Sequence, residues 1–139
     1  MGKFSTVVTH DVMWGDMDAF QHVNNVIYIR YFETARIKYF DRMEGMQNFP
    51  GHIKPILASI AGNYKRPIVY PDRLTISVGV TKLGNASMTM ACEIYSDKGF
   101  LAFTGECVLV MFDTVRQRPV GVPQAIRDFV FSIDGEIKE

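Results

Sequence analysis

Between Val23 and Glu44 the chain carries neither glycine nor proline, and Tyr28, Phe32, Ala35, Tyr39 and Met43 recur at steps of three and four residues. That spacing gathers them on one stripe of an α-helix. Ile29 and Phe40 widen the stripe, so the helix is expected to be buried on more than one side. At 1.5 Å per residue it would run about 33 Å. Asn24 or Asn25 is placed to cap it, because a short amide side chain accepts from the exposed amides of a first turn. Gly45 is placed to end it. A helix that needs cover on several sides constrains the rest of the chain: something extended has to wrap it.

The later sequence supplies that cover. Leu74, Ile76, Val78 and Val80 alternate with Thr75, Ser77, Gly79 and Thr81, and beyond Gly84-Asn85 the apolar set continues as Met88, Met90, Cys92 and Ile94. A two-residue turn at Gly84-Asn85 would set Ile76 against Glu93 and mix the faces. A three-residue loop, Leu83 to Asn85, sets Val80 opposite Met88, Val78 opposite Met90 and Ile76 opposite Cys92, which keeps one face apolar. A second turn at Asp97-Lys98 before Gly99 then sets Cys92 opposite Phe103 and Met88 opposite Cys107, with Thr104 and Glu106 outward. Phe4 to Met13 reads as a first strand, Trp14 to His22 as a polar loop, and Pro123 to Phe131 as a short last helix. After a loop holding Pro50, Gly51 and Pro55, the segment Ile56 to Val69 contains a strand whose end Pro67 and Pro71 place at an edge or bend. The class is α+β, a sheet around a helix. One helix cannot cover such a sheet completely, so a second subunit is expected against its other face or an edge.

Length and charge bound the rest. With 139 residues the chain is expected to form a single domain, 1–139, and 47% hydrophobic against 22% charged residues is a globular balance. Fifteen basic side chains face fifteen acidic ones, which gives no reason to expect nucleic acid as a partner. No apolar run approaches the roughly 20 residues that span a bilayer. Met1 to Val12 lacks a basic segment followed by an apolar core. A cytoplasmic protein without membrane association is expected. Cys92 and Cys107 lack metal or redox spacing; on the hairpin above they lie about four residues apart, roughly 13 Å, beyond disulfide reach. Both read as small core residues. His10 and His52 lack metal-site spacing as well, and no metal is expected.

The chemistry-bearing segment runs from Trp14 to Tyr28, Trp-Gly-Asp-Met-Asp-Ala-Phe-Gln-His-Val-Asn-Asn-Val-Ile-Tyr. It sets two carboxylates, a histidine and two asparagines in the loop that leads into the long helix. A helix start offers unpaired amides and a partial positive charge, which polarise a carbonyl and hold the oxyanion formed on attack. A carboxylate a few residues earlier is placed to act as nucleophile or as base for water. The same residues would also serve as ordinary caps and turns.

Asp16-Met-Asp18, His22-Val-Asn-Asn25, Tyr28 and Tyr31-Phe-Glu-Thr-Ala-Arg36 resemble the signature of the 4-hydroxybenzoyl-CoA thioesterase-like branch of hotdog-fold proteins, and Tyr64-Lys-Arg-Pro67, Asp72 and Thr81-Lys-Leu-Gly84 with Ser87 are similar to its later landmarks. The resemblance covers nearly the whole chain. It implies a hotdog fold, a curved antiparallel sheet around the long helix, and acyl-CoA thioester hydrolysis to free acid and CoA. The CoA thioester is the substrate and no cofactor is implied. The family pairs into homodimers, often homotetramers, with the active site at the subunit interface. Asp18 matches the catalytic carboxylate and the amide near Asn25 the group that polarises the carbonyl. Asp16 matches a supporting aspartate. Gln21 departs from the glycine usual before His22, at a place where glycine eases the backbone.

On that footing His22 and Asn24 are expected to orient carboxylate, water or substrate, and Tyr28 and Phe32 to line the acyl tail. Lys65, Arg66 and Lys82 are candidates for the phosphates of CoA. Glu33 and Arg36, at i and i+3, are expected to pair structurally. Two alternatives stay open: a hotdog enoyl-CoA hydratase or dehydratase, and a non-catalytic acyl-CoA binding domain.

Overall fold

The computed structural model describes residues 4–43, 49 and 51–137; the expectations for Glu44, Gly45 and Pro50 lie outside them. The order is β1 (Thr6–Asp11), a one-turn 3-10 helix (Trp14–Asp16), α1 (Asn25–Asp41), β2 (Ile53–Tyr64), β3 (Arg73–Leu83), β4 (Ser87–Ser96), β5 (Phe100–Asp113), β6 (Arg118–Pro119) and α2 (Gln124–Asp134). All strand pairs are antiparallel, in the order β1-β3-β4-β5-β2 with β6 beside β5.

Helix α1 lies against this sheet through Tyr28, Tyr31, Phe32, Ala35, Tyr39 and Phe40, all buried. It begins where the Asn24 side chain caps it, Oδ1 accepting from the Val26 N–H at 3.0 Å. Val23 is not helical but bridges back to Met17. The helix therefore has 17 residues, about 25 Å rather than about 33 Å. The expected Glu33–Arg36 pair does not form. Arg36 follows Phe32 by one turn and so falls on the buried stripe, its guanidinium carbon 4.6 Å from the Phe32 ring centroid. Glu33 faces outward and pairs with Arg30 at 3.3 Å.

The β3–β4 hairpin keeps the expected faces but slips by two residues: Val80 lies opposite Met90, Val78 opposite Cys92 and Ile76 opposite Ile94. The hairpin closes with Leu83 against Met88 around Gly84 to Ser87, which shifts the register by three, and a bulge between Val80 and Lys82 takes back one. It takes up Thr81, flips the parity of the strand and turns Leu83 inward, leaving it 6% exposed. Strand β5 follows the same shift, with Cys92 opposite Gly105 and Met90 opposite Cys107. The two thiols are free and buried. Burial pushes the Cys92 thiol up to about 12 and raises Cys107 as well, so both are inert core groups.

The two sheet edges differ. Strand β1 is short, and beyond Thr6 the edge of β3 is closed by α2, whose Asp134 carboxylate accepts from the Val80 N–H at 3.0 Å and from the Tyr39 hydroxyl at 2.6 Å. Strand β2 is twelve residues long, an edge on its outer side, and leaves Ile56 47% and Leu57 42% exposed. Among the described residues no helix is long and apolar enough to cross a membrane.

Candidate active site

The loop that follows β1 is held at both ends. The Val12 N–H donates to Asp72 O at 2.9 Å. One oxygen of Asp16 accepts from the Met13 N–H at 2.9 Å and from the Tyr31 hydroxyl at 2.8 Å, tying the loop to α1. The Asp16 carbonyl in turn accepts from the Asn24 N–H at 2.9 Å. Between these anchors the chain doubles back. The Asp18 N–H donates to His22 O and the Gln21 N–H to Asp18 O, both at 3.0 Å. Gln21 closes the turn in the left-handed region, φ 62°, the conformation a glycine adopts freely and other residues at about 1–2 kcal/mol. Asp18 accepts the Phe20 N–H on Oδ1 at 2.9 Å. Among the described residues its Oδ2 takes no hydrogen bond and its carboxylate joins no ion pair.

The first turn of α1 is satisfied only in part. Asn24 Oδ1 takes the Val26 N–H and the Asn24 carbonyl takes the Ile27 N–H at 2.9 Å. Among the described residues the Asn25 N–H meets no acceptor.

Asp18, His22, Asn25, Tyr28, Lys65 and Arg66 come together around one cavity of about 430 Å³, with Phe20, Val23, Tyr64 and Pro67 completing its walls. The segment after β2 is brought there by three bonds: Val23 N–H to Ile68 O at 2.8 Å, Ile68 N–H to the Tyr28 hydroxyl at 3.1 Å, and the Tyr64 hydroxyl to Asn25 O at 3.0 Å. Tyr28 and Tyr64 meet edge to face, centroids 5.0 Å apart at 88°, with Phe103 behind both. Phe103 fits because residues 62 and 105 are glycines; a Cβ there would lie 2.3 and 2.8 Å from its ring atoms. Burial raises the Tyr28 phenol above its ordinary value, only partly offset by the Ile68 N–H, so it stays protonated at neutral pH.

Tyr64, Pro67, Val23 and Phe20 were not among the expected site residues. For Tyr64 the available signal is its place beside Lys65-Arg66; for Phe20, a large apolar side chain inside an aspartate turn, now 81% exposed. Three expected residues stand apart from this cavity. Asn24 commits its side-chain oxygen to the cap and does not line the cavity. Lys82 sits six positions beyond Ile76, the β3 residue level with Tyr64 through Phe103 and Ile94, about 20 Å along the strand from the cavity of its own protomer. Phe32 has no exposed surface; it lies under Arg36 and against Gly105 and cannot meet an acyl tail.

A larger hollow of about 700 Å³ opens beside Trp14, Tyr70 and Lys98, but two of its carboxylates are engaged: Asp72 accepts from Ser96 and from the Arg73 N–H, and Asp11 pairs with Arg73. Among the described residues no group of three or more His, Cys, Asp or Glu is placed to hold a metal ion.

A helix wrapped in this way by an antiparallel sheet defines the hotdog fold. The family model of the thioesterase-like superfamily matches residues 12–130, and the chain belongs to that superfamily. It is 35% identical over 114 residues to the long-chain acyl-CoA thioesterase FadM of Escherichia coli (strain K12), covering 81% of this chain and 86% of that one. It is 31% identical over 108 residues to the YsmA protein of Bacillus subtilis (strain 168), covering 78% and 73%. Among solved structures it matches a thioesterase from Thermus thermophilus complexed with coenzyme A and zinc, with a TM-score of 0.86 and 33% identity over 98% of each chain.

Proposed function

We propose that this protein hydrolyses acyl-CoA thioesters in the Asp18 cavity. The observation that carries the reading is the pairing, on one cavity, of a carboxylate oxygen without a partner and a first-turn amide without an acceptor. A thioester carbonyl set against the Asn25 N–H is polarised by it and by the helix dipole. Asp18 then attacks the carbon to give a mixed anhydride and release the thiolate, or takes a proton from an attacking water. His22 borders the same space and orients water or substrate. Lys65 and Arg66, at the mouth, suit the phosphates of CoA. The route draws on no cofactor.

The active unit in this proposal is a homodimer or homotetramer. Strand β2 offers an open edge, and α1 turns Val26 (69% exposed), Ile29 (37%) and Ile37 (49%) outward beside it. A second copy on that side would bury these residues and close the cavity between subunits. The acyl group is left to pocket shape, and the likeness to FadM extends the candidates to long chains.

The test is thiol release from benzoyl-, hexanoyl- and palmitoyl-CoA, with loss of enoyl absorbance from crotonyl-CoA followed in parallel. Hydrolysis of at least one saturated or aromatic thioester, abolished in Asp18→Asn with CoA binding retained, is the expected outcome. Turnover of crotonyl-CoA alone would redirect the reading to a hydratase, and binding without turnover to a non-catalytic domain.

A further inference from the structure

The Tyr28 hydroxyl accepts the Ile68 N–H at 3.1 Å, and among the described residues nothing accepts its own proton. The residue is 2% exposed. A buried hydroxyl that donates to nothing is costly, and such a cost recurs where a ligand supplies the missing partner. Two features bear on what that proton can reach. Tyr28 is a wall of the cavity that also holds Asp18 and Asn25. It also stands at i+3 from Asn25, and helical side chains lean toward the N-terminus, so its ring rises beside the first turn. Tyr64 fixes that proximity, touching the Tyr28 ring edge to face while its hydroxyl donates to Asn25 O at 3.0 Å. The phenol oxygen gives one lone pair to the Ile68 N–H, and its O–H stays free to turn to another acceptor.

We propose that Tyr28 is a catalytic residue: its phenol donates a hydrogen bond to the thioester carbonyl oxygen beside the Asn25 N–H, as the second donor for the oxyanion. No bond to Tyr28 forms or breaks; the phenol keeps its proton while negative charge grows on the carbonyl oxygen and passes to the departing thiolate. This rests on the hydrolase reading above. It assigns to Tyr28 a polar role distinct from lining an acyl tail, and makes the hydroxyl, not the ring, the part that matters.

Three forms of the full-length protein decide it: wild type, Tyr28→Phe, and the protein with 3-fluorotyrosine placed at position 28. The fluorinated phenol is a stronger donor and keeps both the ring and the Ile68 bond, which separates donation from folding. Loss of one oxyanion donor is expected to lower kcat about 100-fold in Tyr28→Phe with KM changed little. A ketone analogue of the best acyl-CoA, with CH2 in place of sulfur, reports the contact directly through its bound carbonyl stretch. The frequency should be lowest with fluorotyrosine, intermediate in wild type and highest in Tyr28→Phe. Equal carbonyl frequencies in the three proteins overturn the proposal, as does a Tyr28→Phe kcat within twofold of wild type. A wild type that releases no thiol from any acyl-CoA sinks the hydrolase reading and the catalytic role with it; the carbonyl frequencies then decide whether Tyr28 still donates to a bound carbonyl.

Discussion

Two aspartate turns of this molecule use the same local chemistry to opposite ends. Asp18 accepts one backbone amide, from Phe20, and keeps its other oxygen open to a cavity. Asp113, at the β5–β6 hairpin, is buried and accepts the amides of Val115 and Arg116 at 2.9 Å and the His52 Nε2 at 3.2 Å. Both residues fold their own loop through a side chain that bonds two residues ahead. On the proposed reading, what separates a carboxylate free to react from a structural one is how much acceptor capacity the turn leaves over. At Asp113 little remains; at Asp18 an oxygen does.

Substitutions can break that contrast. The largest effect is expected at the open carboxylate: Asp18→Ala should lower kcat by roughly 10²–10⁴-fold, while the melting temperature changes little, because only the Phe20 amide loses its acceptor. Asp113→Ala should do the reverse, lowering the melting temperature clearly with kcat/KM near wild type. Equal losses of activity in the two variants would mean that the distinction between the turns is false.

The acid limb sharpens it. The Arg116 amide foremost, then the Val115 amide and His52, hold the Asp113 carboxyl below its ordinary value against a smaller opposing effect of burial. A carboxyl lowered in the folded state stabilises it above the unfolded pKa of about 3.9, and that stabilisation is lost as pH falls through the folded value. Denaturant titrations at stepped pH should therefore show the gap between wild type and Asp113→Asn wide near neutrality and closing below about pH 4. The smallest effect belongs to Gln21. Gln21→Gly exchanges left-handed strain for backbone entropy, a net gain of about 0.5 kcal/mol, whereas Gln21→Val should destabilise; unfolding midpoints measure both.

Which parts were legible in the chain follows from how local each signal is. The core stripe of α1 and the apolar faces of β3 and β4 follow from periodicity, and their residues are buried, except that Ile29, expected to widen the helix stripe, is 37% exposed. Alternation has period two, so it cannot distinguish a register from one slipped by two, and the bulge at Thr81 leaves no compositional mark. Arg36 shows the same limit on a helix: i, i+3 spacing permits a pair with Glu33, but the side chain's place on the buried face decides otherwise. At the site, Asp18, His22 and Asn25 were legible because they are contiguous. Tyr64 and Pro67 join them through contacts distant in sequence, the Val23–Ile68 pairing across more than forty positions and the Tyr64 hydroxyl on Asn25 O among them. Lys82 stands apart from them in one protomer because a strand carries its two ends to opposite poles of the sheet.

The carboxylate of Asp134 stands in for a missing neighbour strand, taking up the Val80 amide of β3 beyond the last residue paired with β1. Its removal, as in Asp134→Ala, would uncover a hydrogen-bonding rim next to an apolar strand, the kind of surface that recruits another chain's backbone. Such a variant is expected to fail by self-association more than by loss of chemistry, so the closing helix guards solubility from the far end of the sheet.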